Sequence, residues 1–126
     1  SLNDNTKGNF LELDISYESD MDKAMRIIKE EVMAHPNFLD HRSQDEVTAG
    51  VEPVIVRLIR FNDSSITLRT TVYSTSNAEG FALLSDLRIA IKHRFDAEGI
   101  DFPYPHRTII TKSQHPNAND DSIETR

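Results

Sequence analysis

Ile100-Asp101-Phe102-Pro103-Tyr104-Pro105-His106-Arg107-Thr108, running directly into Ile109-Ile110-Thr111, is the stretch on which the fold turns. Prolines at alternate positions fix φ at about −65°, remove two backbone donors and push each preceding residue to extended backbone. The segment is therefore a stiff rod that is neither helix nor central strand before Arg107. Gly99, just ahead of it, stands where a helix needs a residue tolerant of left-handed φ. The order is helix, glycine stop, rigid exit, final strand.

Working backwards, Phe81, Leu84, Leu87, Ile91 and Phe95 recur at helical spacing with Leu83 and Ala90 beside them, so they predict a helix capped by Ser76 or Asn77. Lys92, His93 and Arg94 fall in its last turns, where the dipole favours cations. Before it, Ile66 to Tyr73 alternates apolar and polar residues, Asn62-Asp63-Ser64-Ser65 is a turn cluster, and Val51 to Phe61 is β-rich. Together these make a hairpin, with Pro53 placing its first strand at an edge or delaying its start. Pro36 to Gly50 reads as a long polar surface connection.

Upstream, Met21, Ala24, Met25, Ile28 and Val32 predict an amphipathic helix opened by a capping-box-like Ser19 with Asp22 and closed near His35-Pro36. The methionines at this spacing read as core packing. A strand is expected from Phe10, with Leu11, Leu13, Ile15 and Tyr17 inward and Phe10, Glu12, Asp14 and Ser16 outward. Residues 1–9 read as a linker from a preceding segment, 10–112 as the domain, and 113–126 as a flexible polar tail too poor in apolar groups to offset its ordering entropy. Strand, helix, two-strand hairpin, helix, strand is an α+β order of the ferredoxin-like split βαβ kind: βαββαβ, one antiparallel sheet with two helices on one face.

A chain of 126 residues holds one modest core. Asp plus Glu number 21 against 14 Lys plus Arg, and the basic residues do not cluster in sequence, so nucleic acid is not an expected partner. The absence of cysteine excludes disulfides and thiolate chemistry and suits a reducing compartment. No apolar run reaches the roughly 20 residues of a membrane span, since even Val54-Ile55-Val56-Arg57-Leu58-Ile59 is broken by an arginine. The chain opens on Ser1 without a signal-like segment and reads as a soluble piece of a longer product.

Catalytic chemistry finds little footing. None of His35, His41, His93, His106 and His115 makes an i, i+4 pair on a predicted helix, so no metal site is expected. The four scattered glycines form neither a nucleophile elbow nor a phosphate cradle, and no cofactor is implied. Acylphosphatases share the strand order, but their phosphate loop would fall at Ser16 to Asp20, where acidic residues repel the substrate. An RNA-binding sheet has only a thin counterpart in Arg57, Arg60, Arg69, Phe61 and Tyr73. The chain reads as a non-enzyme.

Three stretches in series resemble the C-terminal cytosolic domain of the small-conductance mechanosensitive channel family, the MscS-like channels. Asp14-Ile15-Ser16-Tyr17-Glu18-Ser19-Asp20-Met21-Asp22-Lys23-Ala24 is similar to the family's strand exit and helix start. Phe61 to Arg69 resembles its hairpin, with Asp63-Ser64-Ser65 as the turn, and Phe95 to Thr108 resembles its proline-bracketed ending. The departures are His106, where the family commonly has glutamine, and the longer connection from Pro36 to Gly50.

The resemblance implies a homoheptameric, osmotically gated channel in the cell membrane, whose membrane-spanning helices and small β domain precede this segment. It implies a cytosolic vestibule with side portals, closed by a short parallel barrel of one strand per subunit. On that reading Pro103, Tyr104, Pro105, Arg107, Thr108, Ile109 and Ile110 serve assembly, delivering the last strand to neighbouring copies that supply its hydrogen-bond partners. Membrane contact then comes only through segments outside this chain. The alternative is a stand-alone ferredoxin-like regulatory domain that binds a small ligand.

Overall fold

The computed structural model describes residues 6–103, 108–112 and 121–125. Strand β1 (Lys7–Ile15) leads into helix α1 (Met21–Ala34), short helix α2 (Gln44–Thr48), strands β2 (Arg57–Phe61) and β3 (Ile66–Ser74), and helix α3 (Asn77–Glu98). Strands β4 (Thr108–Lys112) and β5 (Asp121–Thr125) follow. The main sheet is antiparallel in the order β1-β3-β2, with Leu11 opposite Thr70 and Leu58 opposite Leu68. A register shift between Leu58 and Arg60 leaves Ile59 as the extra residue of a bulge.

Leu11, Leu13 and Ile15 on β1 and Leu68 and Val72 on β3 share a core with Ile27, Ile28 and Val32 of α1 and Leu83, Leu87, Ile91 and Phe95 of α3. Burying each large apolar side chain contributes about 1.5–3 kcal/mol before ordering entropy. The period-2 and period-3.6 patterns converge on this layer, which is why two helices and three strands stand where the sequence places them.

Several expectations are corrected. β1 begins at Lys7 rather than Phe10, because pairing with Ser74 and Tyr73 extends it through the polar residues. Asp20, not Ser19, caps α1, accepting from the Lys23 N–H at 3.1 Å. The polar connection contains α2, closed by a capping box in which Ser43 and Glu46 exchange hydrogen bonds. The delayed start expected from Pro53 holds: regular strand structure begins at Arg57, on an edge of the main sheet, with Val54 and Val56 buried in the core.

On α3, Ser76 is the cap, accepting from the Glu79 N–H. Phe81, assigned to the inward face, is 79% exposed, and Gly80 and Leu83 turn inward instead. A Cβ on Gly80 would lie 2.5 Å from Asn9 Oδ1 and 2.8 Å from Ser74 Oγ, so the helix approaches the sheet where only glycine fits.

The largest correction concerns the last strand. β4 does not complete the main sheet as its fourth strand; it forms a separate two-stranded antiparallel sheet with β5, Ile110 facing Ile123. β5 itself lies in the polar stretch where no element was expected, its ordering supported by backbone pairing to β4 rather than by apolar content.

Candidate functional site

The exit from α3 is built around two residues that need each other. Gly99 adopts φ 77°, the left-handed conformation that ends the helix, and the Ile100 N–H returns to the Phe95 carbonyl at 2.9 Å. Ile100 and Phe95 are both buried, so the turn is nailed down by apolar contact as well. Lys23 of α1 donates to the Glu98 carbonyl at 2.9 Å, satisfying one of the helix's last acceptors.

Asp101 is then moored to the end of β1. Its carbonyl accepts from the Ser16 N–H at 2.9 Å, and its N–H donates to Ser19 Oγ at 3.0 Å. Ser19 Oγ also lies 2.8 Å from Ser16 Oγ. Phe102 follows, its ring tilted against Phe95 at 5.4 Å between centroids, with Lys92 Nζ 5.9 Å from its centre. Pro103 is half-buried.

This mooring explains why the fourth strand is missing from the sheet. Along an extended chain, a residue's N–H and C=O point to the same edge, and residues of like parity share that edge. The Asp101 carbonyl faces β1, so in a continued strand positions 103 and 105 would turn their N–H groups toward it as well. Both are proline and carry no N–H. The chain therefore starts along the outer edge of β1 and loses the next two donors that pairing requires. Among the described residues, β1 pairs only with β3.

Electrostatics fasten the helices above this exit. Arg94 donates to Glu98 Oε2 at 2.7 Å, to Glu30 Oε1 at 2.9 Å and to Glu31 Oε2 at 3.1 Å, tying α3 to α1. Donation to these carboxylates, Glu98 foremost, raises the Arg94 pKa, and the same guanidinium lowers that of Glu98. Of the histidines, His35 bridges α1 and α3: Nε2 lies 2.9 Å from Asp86 Oδ2 and Nδ1 accepts from the Asn37 N–H at 3.0 Å. His41 stacks on Tyr73. Among the described residues no group of three or more metal-ligating side chains converges.

Of the residues assigned to assembly, Pro103 lies at the end of the moored segment, while Thr108, Ile109 and Ile110 lie in β4, with Ile110 66% exposed. Tyr104, Pro105 and Arg107 lie outside the described residues. The mooring group of Ser16, Ser19 and Asp101 was missed. Its one sequence signal, the serine-rich run before α1, was absorbed by the capping assignment.

The family model described as "Mechanosensitive ion channel MscS, C-terminal" matches residues 11–102, so the proline pair lies just past its end. The large-conductance mechanosensitive channel MscMJLR of Methanocaldococcus jannaschii is 30% identical over 95 residues, covering 71% of this chain and 23% of that protein. A small-conductance mechanosensitive channel of Caldanaerobacter subterraneus is 30% identical over 77 residues, covering 60% of this chain and 26% of that protein. The chain thus spans about a quarter of the length of these relatives. In fold it is similar to the closed-state MscS of Helicobacter pylori, with a TM-score of 0.65 at 21% identity over 86% of this chain and 39% of that one. No helix among the described residues is long and apolar enough to cross a membrane. With the family model matched from the first core residue of β1 to the moored Phe102, the chain belongs to the MscS mechanosensitive channel family, as its C-terminal domain.

Proposed function

We propose that this domain forms part of an oligomeric vestibule on the cytoplasmic face of a membrane channel that releases ions and small solutes on hypo-osmotic shock. The family is one of ion channels rather than enzymes, and the chain works by assembling and lining rather than by catalysis. In this reading the residues ahead of β1 link it to a preceding segment, and the stretch after β4 is its tail. Seven copies surround the axis.

The observation that carries the proposal is the departure of β4 from the main sheet after the chain has been moored beside β1. β4 uses one edge to pair with β5, leaving its other edge for a neighbouring copy. Pro103, Tyr104, Pro105 and Arg107 deliver it, and Thr108, Ile109 and Ile110 meet the sister strands. An exposed isoleucine at position 110 is apolar surface suited to such cover.

The test is expression of the complete protein carrying this chain in cells stripped of tension-gated channels. Survival of osmotic downshock and a tension-activated current in excised patches are expected. Loss of both, with the protein present in the membrane, overturns the reading.

A further inference from the structure

The face of the sheet turned away from the helices carries a groove of about 360 Å³, bounded by the chain between α1 and β2. Its size falls in the range, roughly 300–1,000 Å³, of sites for small organic ligands. Phe10, Ile55 and the stacked pair of His41 and Tyr73, 3.8 Å between ring centroids, supply apolar and flat walls. Phe10 is 59% exposed and Ile55 40% exposed, so both offer apolar surface to the groove.

The charges in the groove are unevenly matched. Arg57 on β2 stands directly opposite Arg69 on β3, and like charges so placed repel. Arg69 is neutralised: its Nη2 lies 2.6 Å from Glu12 Oε2, its Nε donates to the same oxygen at 2.7 Å, and its guanidinium covers the Phe10 ring. Arg42 is held by Asp40 and by the Val51 carbonyl. Of the groove's other carboxylates, Glu52 pairs with Lys29 at 3.3 Å and Glu46 accepts from the Ser43 N–H in the capping box of α2. Arg57 is exposed and has no ion-pair partner among the described residues. A chain of net charge −7 thus gathers three arginines here and leaves one guanidinium without a counter-ion.

We propose that this groove binds a small organic carboxylate with a flat apolar body. The planar guanidinium of Arg57 matches a carboxylate through two parallel hydrogen bonds. The body of the ligand lies against Phe10, Ile55 and Tyr73. The site belongs to the channel domain itself and does not depend on how copies assemble or on tension gating.

The probe is benzoate, titrated into the isotopically labelled 126-residue chain at fixed ionic strength and followed by NMR. Saturable shifts are expected at Phe10, His41, Arg57, Arg69 and Tyr73. Benzyl alcohol, which keeps the ring and lacks the charge, binds about tenfold more weakly, as does benzoate to Arg57→Gln, the loss of one charge-assisted bidentate contact. Inorganic phosphate, which lacks the ring, also binds more weakly than benzoate. Arg57→Lys retains the charge and falls between Arg57→Gln and wild type, with the remaining amide spectrum reporting an intact fold. The proposal is overturned by the absence of saturable shifts at these residues, by equal binding to Arg57→Gln, or by benzyl alcohol or phosphate matching benzoate.

Discussion

Ser16 and Asp101 are joined by a single backbone hydrogen bond of 2.9 Å, and that bond sets the parity of everything after it. It turns the Asp101 carbonyl toward β1, so a strand continued from there would need donors toward β1 at positions 103 and 105, both proline in the sequence. Asp101 is placed to begin such a strand, and proline at those two positions cannot supply its donors.

Replacing Pro103 and Pro105 together by alanine restores both donors. The segment is then expected to pair with β1, and the outward amides of Phe10, Glu12 and Asp14 to exchange about fivefold more slowly, the equivalent of a net hydrogen bond of about 1 kcal/mol. Hydrogen exchange followed by NMR measures this. Unchanged exchange at all three amides would show that something other than the missing donors keeps the edge open.

Gly80→Ala tests the close approach of α3 to the sheet. Alanine in a helix gains about 1 kcal/mol over glycine, but overpacking costs about 1–3 kcal/mol. Asn9 cannot simply swing aside, since its Nδ2 donates to the Val72 carbonyl at 2.9 Å and to Ser74 Oγ at 3.1 Å. Net destabilisation of about 1 kcal/mol is expected in urea unfolding. The double variant with Asn9→Ala should recover part of it. A stabilised Gly80→Ala protein would mean the neighbours yield freely.

Arg94→Met removes the clasp between α1 and α3. Arg94 holds the Glu98 carboxyl below its ordinary value of 4.5, so this contribution is present above the unfolded pKa and disappears as pH falls through the folded one. The wild type should therefore lose stability on acidification below about pH 4.5, and Arg94→Met should lose less over the same window. Thermal melts from pH 6 downwards decide it, and parallel curves for the two proteins would remove Arg94 as the cause. Both side chains are partly solvated, so the effect is modest.

Asp40 offers a local readout. Hydrogen bonds from the Arg42 side chain and backbone lower its pKa from 3.8 to about 2. An NMR titration of the Asp40 carboxyl should find its midpoint there, and Arg42→Gln should move it back up. Any associated stability is present above the unfolded pKa and is lost as pH falls toward 2. A wild-type midpoint at the ordinary aspartate value would refute the pairing in solution.

Much of the fold was legible because its signals are local. The spacing of Met21, Ala24, Ile28 and Val32, the alternation through β3 and the glycine stop at Gly99 all follow from residue size, polarity and backbone freedom. Phe81 was misplaced because helical spacing cannot reveal that Gly80 alone fits against Asn9 and Ser74. Ser19 fits a cap by its spacing to Asp22, but its side chain serves Asp101, a partner too far along the chain for local spacing to reveal.

That α3 ends at Gly99 and that Pro103 and Pro105 restrict the backbone and lack donors follows from residue identity, since φ restriction and a missing N–H belong to the residue wherever it stands. Which neighbour those missing donors would have faced depends on the long-range bond between Ser16 and Asp101. The fold likewise places Arg57 opposite Arg69 and gathers three carboxylates on Arg94. Direction and partnership depend on long-range register, and register is fixed by the packing of the whole core rather than by any one residue.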